Sequence, residues 1–519
     1  MRNLLAPAVA GLLAATAGVA GAEFVAALTR PQAGPLVAVG GTIIDAAPTP
    51  VKEFAVRTFG TYDKPLLLAG IGLALAVFAA VVGILARRRP VVAVIGAGAF
   101  GMIGAATALT RPAARPLDVL PSLAGAVIAA LLLRRLLSTH PGATPHPGPI
   151  PQPPPGGPDP ERATNRLIRP SRRGFIRTAS TVAAGTALAG GGTFALRRAQ
   201  LRDAARSRET VRLPAAGDPA KPLPPGAAAG FHTRNADFYR VDTALTVPRI
   251  DVDGWRLRIH GMVGNPVELS FADLLDRDLI ERDITLSCVS NEVGGPYVGT
   301  ARWLGVPLAP LLRSTGINSR ADQVVARSSE GMTIGTPLET VLDGRDAMLA
   351  VGMNGEALPL DHGFPVRMLT PGLFGYAGAC KWVAELELST FDAFDAYWVQ
   401  RGWARRGPVK TASRIDRPAP FARVPAGRAA VAGVAWAQHR GVSAVEVQVD
   451  GGQWRPATLL PVPSTDTWTQ WRYDWAATSG GHTLRVRATD GNGDLQTDRR
   501  ATPFPDGATG WHTVAVTVI

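Results

Sequence analysis

The amino-acid sequence predicts a multi-domain protein in which N-terminal transmembrane helices precede an α+β domain and a C-terminal β-sandwich. The chain has 519 residues, more than one ordinary domain holds. Its 46% hydrophobic and 18% charged residues are typical of a membrane portion beside a globular one. The apolar pattern also changes along the chain, from long unbroken runs to mixed short elements and then to short alternating strands.

Four long apolar runs precede residue 138. They are Leu4–Leu28, Pro65–Ala86, Val91–Thr110 and Leu117–Leu137. Each approaches the roughly 20 residues that cross a bilayer. Arginines 87–89 follow the second run, and arginines 134–135 close the fourth. Because cytoplasmic loops are enriched in Lys and Arg, residues 1–137 are predicted to form a four-helix transmembrane region with a cytoplasmic N-terminus and an outer loop over 29–64.

The next two segments are a linker and a candidate export signal. Residues 138–170 are predicted to form an extended cytoplasmic linker, because the stretch His140–Pro160 is rich in Pro and Gly and carries almost no charge. Residues 171–197 open with Ser-Arg-Arg-Gly-Phe-Ile-Arg, which resembles a twin-arginine export signal. The apolar run that follows also predicts a fifth transmembrane helix, and an uncleaved signal would become that helix. A fifth crossing would put the remaining chain outside the cytoplasm, beginning with a polar tether over 198–230.

Two globular domains are predicted after the tether. Residues 231–410 alternate short strands with short helices, which is typical of an α+β domain. Residues 411–519 hold at least five short alternating strands with Asp-Gly turns between them, a pattern that predicts a β-sandwich. The predicted strands are Ala429–Trp436, Ser443–Val449, Trp468–Trp475, His482–Ala488 and Trp511–Val518.

The two cysteines are the first candidates for chemistry. Cys288 ends a strand-like run and opens a Gly-rich loop, where a thiol can serve as a metal ligand or nucleophile. The alternative is a small buried hydrophobe, and a buried free thiol is the expected state of Cys380. Two cysteines leave no disulfide framework, and the sequence holds no c-type haem motif, flavin fingerprint or Fe–S cysteine set.

Charge and motif content exclude several other classes. The formal net charge is +13, but much of the excess arginine lies beside the apolar runs. No basic stripe with interleaved aromatics is present, so we expect no nucleic-acid partner. No G-x-G-x-x-G follows a predicted strand, which argues against a Rossmann dinucleotide site.

Two segments, in the same order as in the family, carry a resemblance to the sulfite oxidase family of molybdopterin enzymes. The first is TLSC, ending at Cys288, followed by TARWLGVPLAPLL. The second is Leu349–Trp382, with its MNG, DHGFPVR and KW elements. The resemblance covers roughly Phe231 to the C-terminus and implies a sulfite oxidase-like fold for the α+β domain. DGGQW and the closing GWHTVAVTV resemble the family's immunoglobulin-like dimerisation domain, which implies a possible homodimer.

The resemblance also implies a molybdenum–molybdopterin cofactor and a set of residues that would hold it. Cys288 is implied as the thiolate ligand of the metal, which suits a soft donor. Cations and donors at the family's positions would bind the anionic end of the cofactor. The cofactor-binding positions are His232, Thr233, Arg234, Asn235, Cys288, Ser329, His362, Arg367, Ala379, Cys380 and Lys381.

The predicted substrate site departs from the family. Arg234 and Arg440 match or nearly match family arginines that hold a small dianion, but no arginine directly follows Cys288. Trp403 stands where the family tyrosine would lie. Tyr297 is expected either to line the pocket or to serve as a structural aromatic. Glu292 would repel a dianion if it faced the pocket. These departures put sulfite in question as the substrate.

Taken together, the sequence predicts a multi-pass membrane protein with an extracytoplasmic, molybdenum-dependent oxidoreductase domain. It would carry out two-electron oxo-transfer on a small molecule and exchange electrons with an external cytochrome or quinone-linked carrier. Two alternatives remain open: an S- or N-oxide reductase of the same fold, and a non-catalytic, membrane-tethered binding protein that keeps the fold. A transporter is less expected because the four apolar runs carry almost no charge.

Overall fold

The computed structural model describes residues 2–59, 62–112, 114–139, 172–227 and 229–519. The chain forms two contact-dense units, Met1–Leu201 and Arg202–Ile519. Residues 140–170 of the predicted linker and Ser171 of the twin-arginine motif lie outside the described residues.

Helices make up most of the described part of the first unit. They are α1 (Arg2–Leu28), α2 (Pro35–Ala46), α3 (Thr49–Phe59), α4 (Asp63–Ala86), α5 (Val91–Leu109), α6 (Leu120–Ser138) and α7 (Arg172–Thr210), the last of which continues into the second unit. Within the described residues, four stretches are long and apolar enough to cross a membrane: Leu4–Leu28, Asp63–Ala86, Val91–Leu109 and Pro116–Ser138. They coincide with the four predicted spans. Helices α2 and α3 occupy the region predicted as an outer loop.

Glycines allow α1 and α4 to pack closely. A Cβ atom built on Gly11 would lie 2.1 Å from the carbonyl oxygen of Ala79, and one built on Gly83 would lie 2.2 Å from the carbonyl oxygen of Pro7. No other residue fits at that separation. Small residues of this kind let helix backbones approach where lipid tails provide no hydrophobic driving force.

Helix α7 runs beside α1 in the same direction. Val182 packs in a cluster that includes Ala10, whereas Gln200 Nε2 donates to the carbonyl oxygen of Ala27, 2.9 Å away. Arg197 forms an ion pair with Glu23, near the end of α1. Because a helix rises 1.5 Å per residue, these contacts span about 27 Å, close to the thickness of a hydrocarbon core.

The α+β part of the second unit contains two five-stranded sheets. Its strands are β1 (Arg256–Gly261), β2 (Val267–Ser270), β3 (Ile280–Ser287), β4 (Val298–Pro307), β5 (Gln323–Ser328), β6 (Thr333–Pro337), β7 (Met348–Met353), β8 (Glu356–Ala357), β9 (Arg367–Leu369) and β10 (Val383–Ser389). Its helices are α8 (Phe271–Leu275), α9 (Leu308–Ser314), α10 (Leu338–Leu342) and α11 (Gly375–Gly378). One sheet has the order β2-β1-β10-β5-β6, with β1 and β10 parallel; the other has the order β3-β4-β7-β8, with β9 also paired to β7.

The pattern of burial explains why the strands nearest Cys288 are so apolar. All six residues of β7 are buried, and β4 is buried at eight of its ten positions. Strands that are covered on both faces have sequences of continuous apolar residues rather than alternating apolar and polar ones. Strand β3 lies beside β4 and ends at Ser287, so Cys288 emerges from the edge of a rigid, fully packed layer.

Two further sheets form the C-terminal part. The strands are β11 (Ala412–Arg417), β12 (Arg423–Val424), β13 (Gly427–Trp436), β14 (Val442–Val449), β15 (Arg455–Pro456), β16 (Thr458–Leu459), β17 (Thr469–Ala477), β18 (Gly480–Asp490) and β19 (His512–Val518). The sheet orders are β11-β13-β17-β16 and β12-β19-β18-β14-β15. Apolar side chains from both sheets form one core, for example Trp471 and Val486. All five predicted strands are present, and the structure adds β11, β12, β15 and β16.

The segment predicted as a polar tether differs from the expectation. Residues 198–210 continue α7, and the following residues pack on the α+β domain. Asp218 bridges to Ile280, and Leu213 packs against the main core. Arg208 donates to the carbonyl oxygens of Ala357 and Leu358. The segment packs on the domain because the apolar residues between its prolines are buried against the main core.

Candidate active site

Cys288 is held by a closed loop at the end of β3. Its backbone N–H donates to the carbonyl oxygen of Tyr297, 2.9 Å away, and its carbonyl oxygen accepts from Asn291 at 3.1 Å. The side-chain oxygen of Asn291 accepts from the backbone N–H of Tyr297 at 2.8 Å. These three bonds close the loop over 288–297 and fix the position of a thiol that is only 7% exposed.

An open cleft of about 840 Å³, its mouth included, adjoins Cys288. Charged and aromatic side chains dominate its lining. The charged ones are Arg367, Lys381, Asp242 and Glu330, and the aromatic ones are Phe238, Tyr239, Tyr376, Trp382, Trp398 and Trp403. The cleft therefore offers a thiol, charged side chains and a large apolar wall in one place.

Arg367 is a buried cation to which no carboxylate of the described residues is paired. Its side chain lies on β9 and is 5% exposed. One terminal N–H donates to the carbonyl oxygen of His362 at 3.2 Å, and the guanidinium lies 5.1 Å from the ring centre of Trp303. Among the described residues, its Nε has no hydrogen-bond partner and its guanidinium forms no ion pair. Burial lowers the pKa of Arg367 to about 10, so the fold accommodates this charge at a cost.

Lys381 supplies a second cation. Its Nζ lies 2.9 Å from a carboxylate oxygen of Asp242 and donates to the carbonyl oxygen of Asp361 at 3.1 Å. Arg240 shares the same carboxylate. Burial lowers the pKa of Lys381 to about 8, and the charges of Arg367 and Arg240 also lower it, whereas Asp242 opposes the shift.

His362 is neutral at physiological pH. Burial, with a contribution from the charge of Arg367, lowers its pKa to about 4. Its Nε2 lies 3.0 Å from the carbonyl oxygen of Asn235, so the neutral ring donates there. His362 thus links the loop at Asn235 to the cleft without adding charge.

The cleft fits an anionic cofactor that carries a metal. Arg367 presents an unpaired Nε and an uncompensated charge, which an anionic group would satisfy. Cys288 is a soft donor beside it. The described residues hold no cluster of three or more His, Cys, Asp or Glu side chains, so a metal at Cys288 would take its other ligands from the cofactor. Burial raises the pKa of the Cys288 thiol, against opposing hydrogen bonds from Ser290, and a bound metal would displace this proton.

The predicted cofactor residues fall into three groups. Cys288, Arg367, Ala379 and Lys381 line the cleft. Asn235, His362 and the fully buried Cys380 lie directly behind it.

The third group of predicted cofactor residues does not line the cleft, and its members have other partners or are exposed. His232 lies 2.8 Å from Asp283, and the backbone of Thr233 bonds to Thr300. The side chain of Arg234 is 83% exposed and pairs with Asp237. Ser329 is exposed, whereas its neighbour Ser328 lines the cleft.

The predicted substrate residues are also divided. Trp403 lines the cleft. Arg440 does not: its Nε donates to Asp490 at 2.8 Å, and Nη2 donates to the carbonyl oxygen of Val409 at 3.0 Å. Tyr297 acts on Cys288 through its backbone, as described above. Glu292 lines a separate cleft that also includes Lys410, so it does not face Cys288.

Several cleft residues were missed from the sequence, among them Tyr239 and Glu330. Tyr239 follows the predicted 232–235 segment closely, and this proximity was its only sequence signal. Burial and the negative charge of Cys288 raise its pKa above the usual range, with Arg367 opposing, so the phenol stays protonated. Glu330 follows the predicted Ser329, and its Oε1 accepts from the hydroxyl of Thr243 at 3.4 Å.

Comparison with known proteins agrees with this geometry. Residues 244–398 match the family described as the oxidoreductase molybdopterin binding domain. Sulfite oxidase from Gallus gallus is 30% identical over 320 residues, which cover 52% of this chain and 69% of that protein. Mitochondrial sulfite oxidase from Rattus norvegicus is 29% identical over 283 residues, 46% of this chain but only 51% of the rat protein.

A solved structure is also similar. The sulfane dehydrogenase SoxCD from Paracoccus pantotrophus aligns with a TM-score of 0.49 and 25% identity, over 56% of this chain and 82% of that chain. On the sequence similarities above, this chain belongs to the sulfite oxidase family and is a molybdenum- and molybdopterin-dependent oxidoreductase.

Proposed function

We propose that this protein is a membrane-anchored, extracytoplasmic oxidoreductase in which the Cys288 thiolate binds molybdenum. The observation that carries the proposal is the juxtaposition of Cys288 with the uncompensated buried cation Arg367 in one cleft. When bound, the cofactor would supply two-electron oxo-transfer chemistry. Electrons would pass to or from an external cytochrome or quinone-linked carrier.

The chain's own residues would bind and orient the cofactor. Arg367 and Lys381 would pair with its anionic end, and desolvation in the cleft would strengthen both contacts. Neutral His362 would keep the loop at Asn235 against this site. The packed β3–β4 layer and the closed 288–297 loop would hold the thiolate in one orientation. Tyr239, protonated beside Cys288, would provide a hydrogen-bond donor at the reacting centre.

Metal analysis with molybdenum EPR tests the assignment of Cys288. We expect the detergent-purified wild type to carry about one molybdenum per chain, as one thiolate per site requires. Cys288→Ser should lose the thiolate-type EPR signal, whereas Cys380→Ser, at the other buried cysteine, should keep it. If the wild type cannot be loaded in a host that makes the cofactor, the alternative of a non-catalytic binding protein with this fold takes its place.

The extracytoplasmic location depends on whether α7 is a fifth crossing. Four crossings return the chain to its starting side, and a fifth moves the catalytic domain to the other side. Within the described residues, helix α7 is not one of the four helices that are long and apolar enough to cross a membrane by length and composition alone. Its contacts with α1 nevertheless extend over about the thickness of a bilayer core, and this supports a fifth crossing.

Labelling of introduced cysteines tests this topology, because both natural cysteines are buried. Two single-cysteine variants supply the labelling positions. Ser479→Cys places a thiol on the exposed surface of the C-terminal sheets, and Thr144→Cys places one in the predicted cytoplasmic linker. A membrane-impermeant maleimide added to cells with a permeabilised outer layer should label position 479 and spare position 144. Equal protection or equal labelling of the two positions would contradict a fifth crossing.

A homodimer through the C-terminal sheets, in an immunoglobulin-like arrangement, remains part of the proposal. It rests on the resemblance together with two sheets that share one core. Light scattering of the purified protein tests it, and a monomer at micromolar concentration would refute it.

An S- or N-oxide reductase of the same fold is the second candidate for the reaction. The observation that favours it is the engagement of Arg234 and Arg440 outside the cleft, because these are the arginines expected to hold a small dianion.

A further inference from the structure

The last turn of helix α7 is bonded to the segment that lies behind the cofactor cleft. We infer that Arg208, in this turn, is a positioning residue for cofactor binding, and the inference rests on the proposed function. Arg208 acts through Glu356 and Asn235 on the loop beside Arg367. Helix α7 therefore serves retention of the cofactor in addition to its proposed role as a fifth crossing.

The end of α7 is fixed to the α+β domain at two points. The hydroxyl of Ser207 accepts from the backbone N–H of Val252 at 3.0 Å and donates to the carboxylate of Asp251 at 3.1 Å. The Nη2 atom of Arg208 lies 2.8 Å from a carboxylate oxygen of Glu356, in addition to the two carbonyl contacts of this guanidinium described above. The turn therefore has a defined position on the domain.

Glu356 joins this turn to the segment that contains Asn235. The carboxylate oxygen that is not paired with Arg208 accepts from the side-chain amide of Asn235 at 2.5 Å. Burial raises the pKa of Glu356, but the hydrogen bonds from Arg208 and Asn235 outweigh this effect and lower the pKa below its usual range. Glu356 is therefore a carboxylate at neutral pH, and hydrogen bonds to a charged acceptor are stronger than neutral ones.

The turn between β7 and β8 holds the side chain of Asn235 at both its polar atoms. Its Nδ2 donates to Glu356, and its Oδ1 accepts from the side-chain amide of Asn354 at 2.8 Å. Asn354 and Gly355 have positive φ angles of 52° and 82°, the backbone conformation of a tight two-residue hairpin turn. This turn sets the position of Asn235, and α7 holds the turn through Arg208.

Asn235 is connected to the cleft through His362. The carbonyl oxygen of Asn235 lies 3.0 Å from Nε2 of His362, and the carbonyl oxygen of His362 accepts from Arg367 at 3.2 Å. His362 and Arg367 are each 5% exposed, so neither moves without displacing packed neighbours. Loss of Arg208 should therefore loosen the turn and shift the guanidinium of Arg367, which is proposed to pair with the anionic end of the cofactor.

Release of molybdenum from the loaded, full-length protein in detergent measures this role. The metal content of the protein is followed over time after dilution into cofactor-free buffer. We expect Arg208→Met to accelerate release by about fivefold, within the range that coupled positions produce. Glu356→Gln breaks the same link at a side chain that is 51% exposed and should also accelerate release. The test therefore does not depend on folding of the Arg208 variant.

A double-mutant cycle distinguishes positioning from two unrelated losses of stability. Asn235→Ala removes the amide that Glu356 and Asn354 hold. If Arg208 acts through Asn235, Arg208→Met should change the release rate by less than about twofold in the Asn235→Ala background, because residues of one network are not additive. Independent effects would multiply, and that result would overturn the inference.

Arg282→Met is the matched control. The side chain of Arg282 is 25% exposed, as against 24% for Arg208, and it binds the segment after α7 to strand β3 through Asp218. In a host that cannot make molybdopterin, both variants should lower the urea midpoint of the protein to a similar extent. Only Arg208→Met should accelerate release, and equal acceleration by Arg282→Met would overturn the inference.

The outcomes separate this inference from the proposed function. If the wild type carries molybdenum and Arg208→Met and Glu356→Gln release it at the wild-type rate, the inference is overturned while the enzyme assignment stands. If the wild type cannot be loaded with molybdenum, the proposed function is overturned and this inference with it.

Discussion

Replacing Arg367 by Met should stabilise the cofactor-free protein while abolishing retention of the cofactor. Burial lowers the pKa of Arg367 from 12.5 to about 10. At 1.36 kcal/mol per pKa unit, this corresponds to a cost of about 3 kcal/mol for the charged form. Because the pKa is lower in the folded state, the cost is present at every pH below about 10, including neutrality.

Two contacts offset part of this gain. The hydrogen bond to the carbonyl oxygen of His362 contributes about 1 kcal/mol. The stacking of the guanidinium on Trp303 contributes about 1 kcal/mol as well. Met is unbranched and fills much of the same space, so little cavity cost is added. The expected net stabilisation of the cofactor-free protein by Arg367→Met is about 1 kcal/mol.

Urea unfolding measures the stability change in protein from a host that cannot make molybdopterin. Metal analysis in a cofactor-producing host measures retention, and there the variant should carry little molybdenum. Arg405→Met is the control, because Arg405 is half-exposed and pairs with Asp395. It should change stability by less than about 0.5 kcal/mol and leave the metal content intact. Destabilisation of the cofactor-free Arg367→Met protein by about 2 kcal/mol or more, or full molybdenum retention, would refute the reasoning.

Three further predictions concern the cleft and the helices. Tyr239→Phe should lower the rate of S-oxide reduction, the second candidate reaction, by about tenfold or more at unchanged molybdenum content, because it removes a proton donor beside Cys288; an unchanged rate would exclude that role. His362 has its pKa lowered to about 4 in the folded protein, so its stabilising contribution is complete above pH 6.5 and is lost as the pH falls towards 4. Urea unfolding of the wild type should therefore show a loss of about 2 kcal/mol between pH 7 and pH 5 that His362→Gln does not show, and equal slopes would contradict the assignment. Gly11→Ala should disrupt α1–α4 packing and lower the detergent melting temperature, because its Cβ would meet the carbonyl oxygen of Ala79, whereas Gly70→Ala, with no neighbour within 4 Å, should not; equal melting temperatures would argue against this close approach.

The sequence by itself determined the elements whose signal is local. The four apolar helices and the five alternating C-terminal strands were predicted because the spacing of apolar residues within each element indicates which of its side chains are buried. Cys288, Arg367 and Lys381 were likewise predicted from ordered motifs, and the structure brings all three to one cleft. Helix α2 was missed because its 12 residues are too few to indicate a crossing and its position suggested a loop.

Only the tertiary structure decided which charged side chains face the cleft. Arg440 and Arg234 are the type of residue that binds an anionic substrate. In the structure, however, Arg440 pairs with Asp490 and Arg234 pairs with Asp237. Conversely, Tyr239 and Glu330, which are 49 and 42 positions from Cys288 in the chain, line the same cleft. The direction of a side chain and the choice of its ion-pair partner depend on packing between distant segments. No local pattern contains that information, and for this reason the sequence could predict that Cys288, Arg367 and Lys381 belong to one site but not which other charged side chains lie beside them.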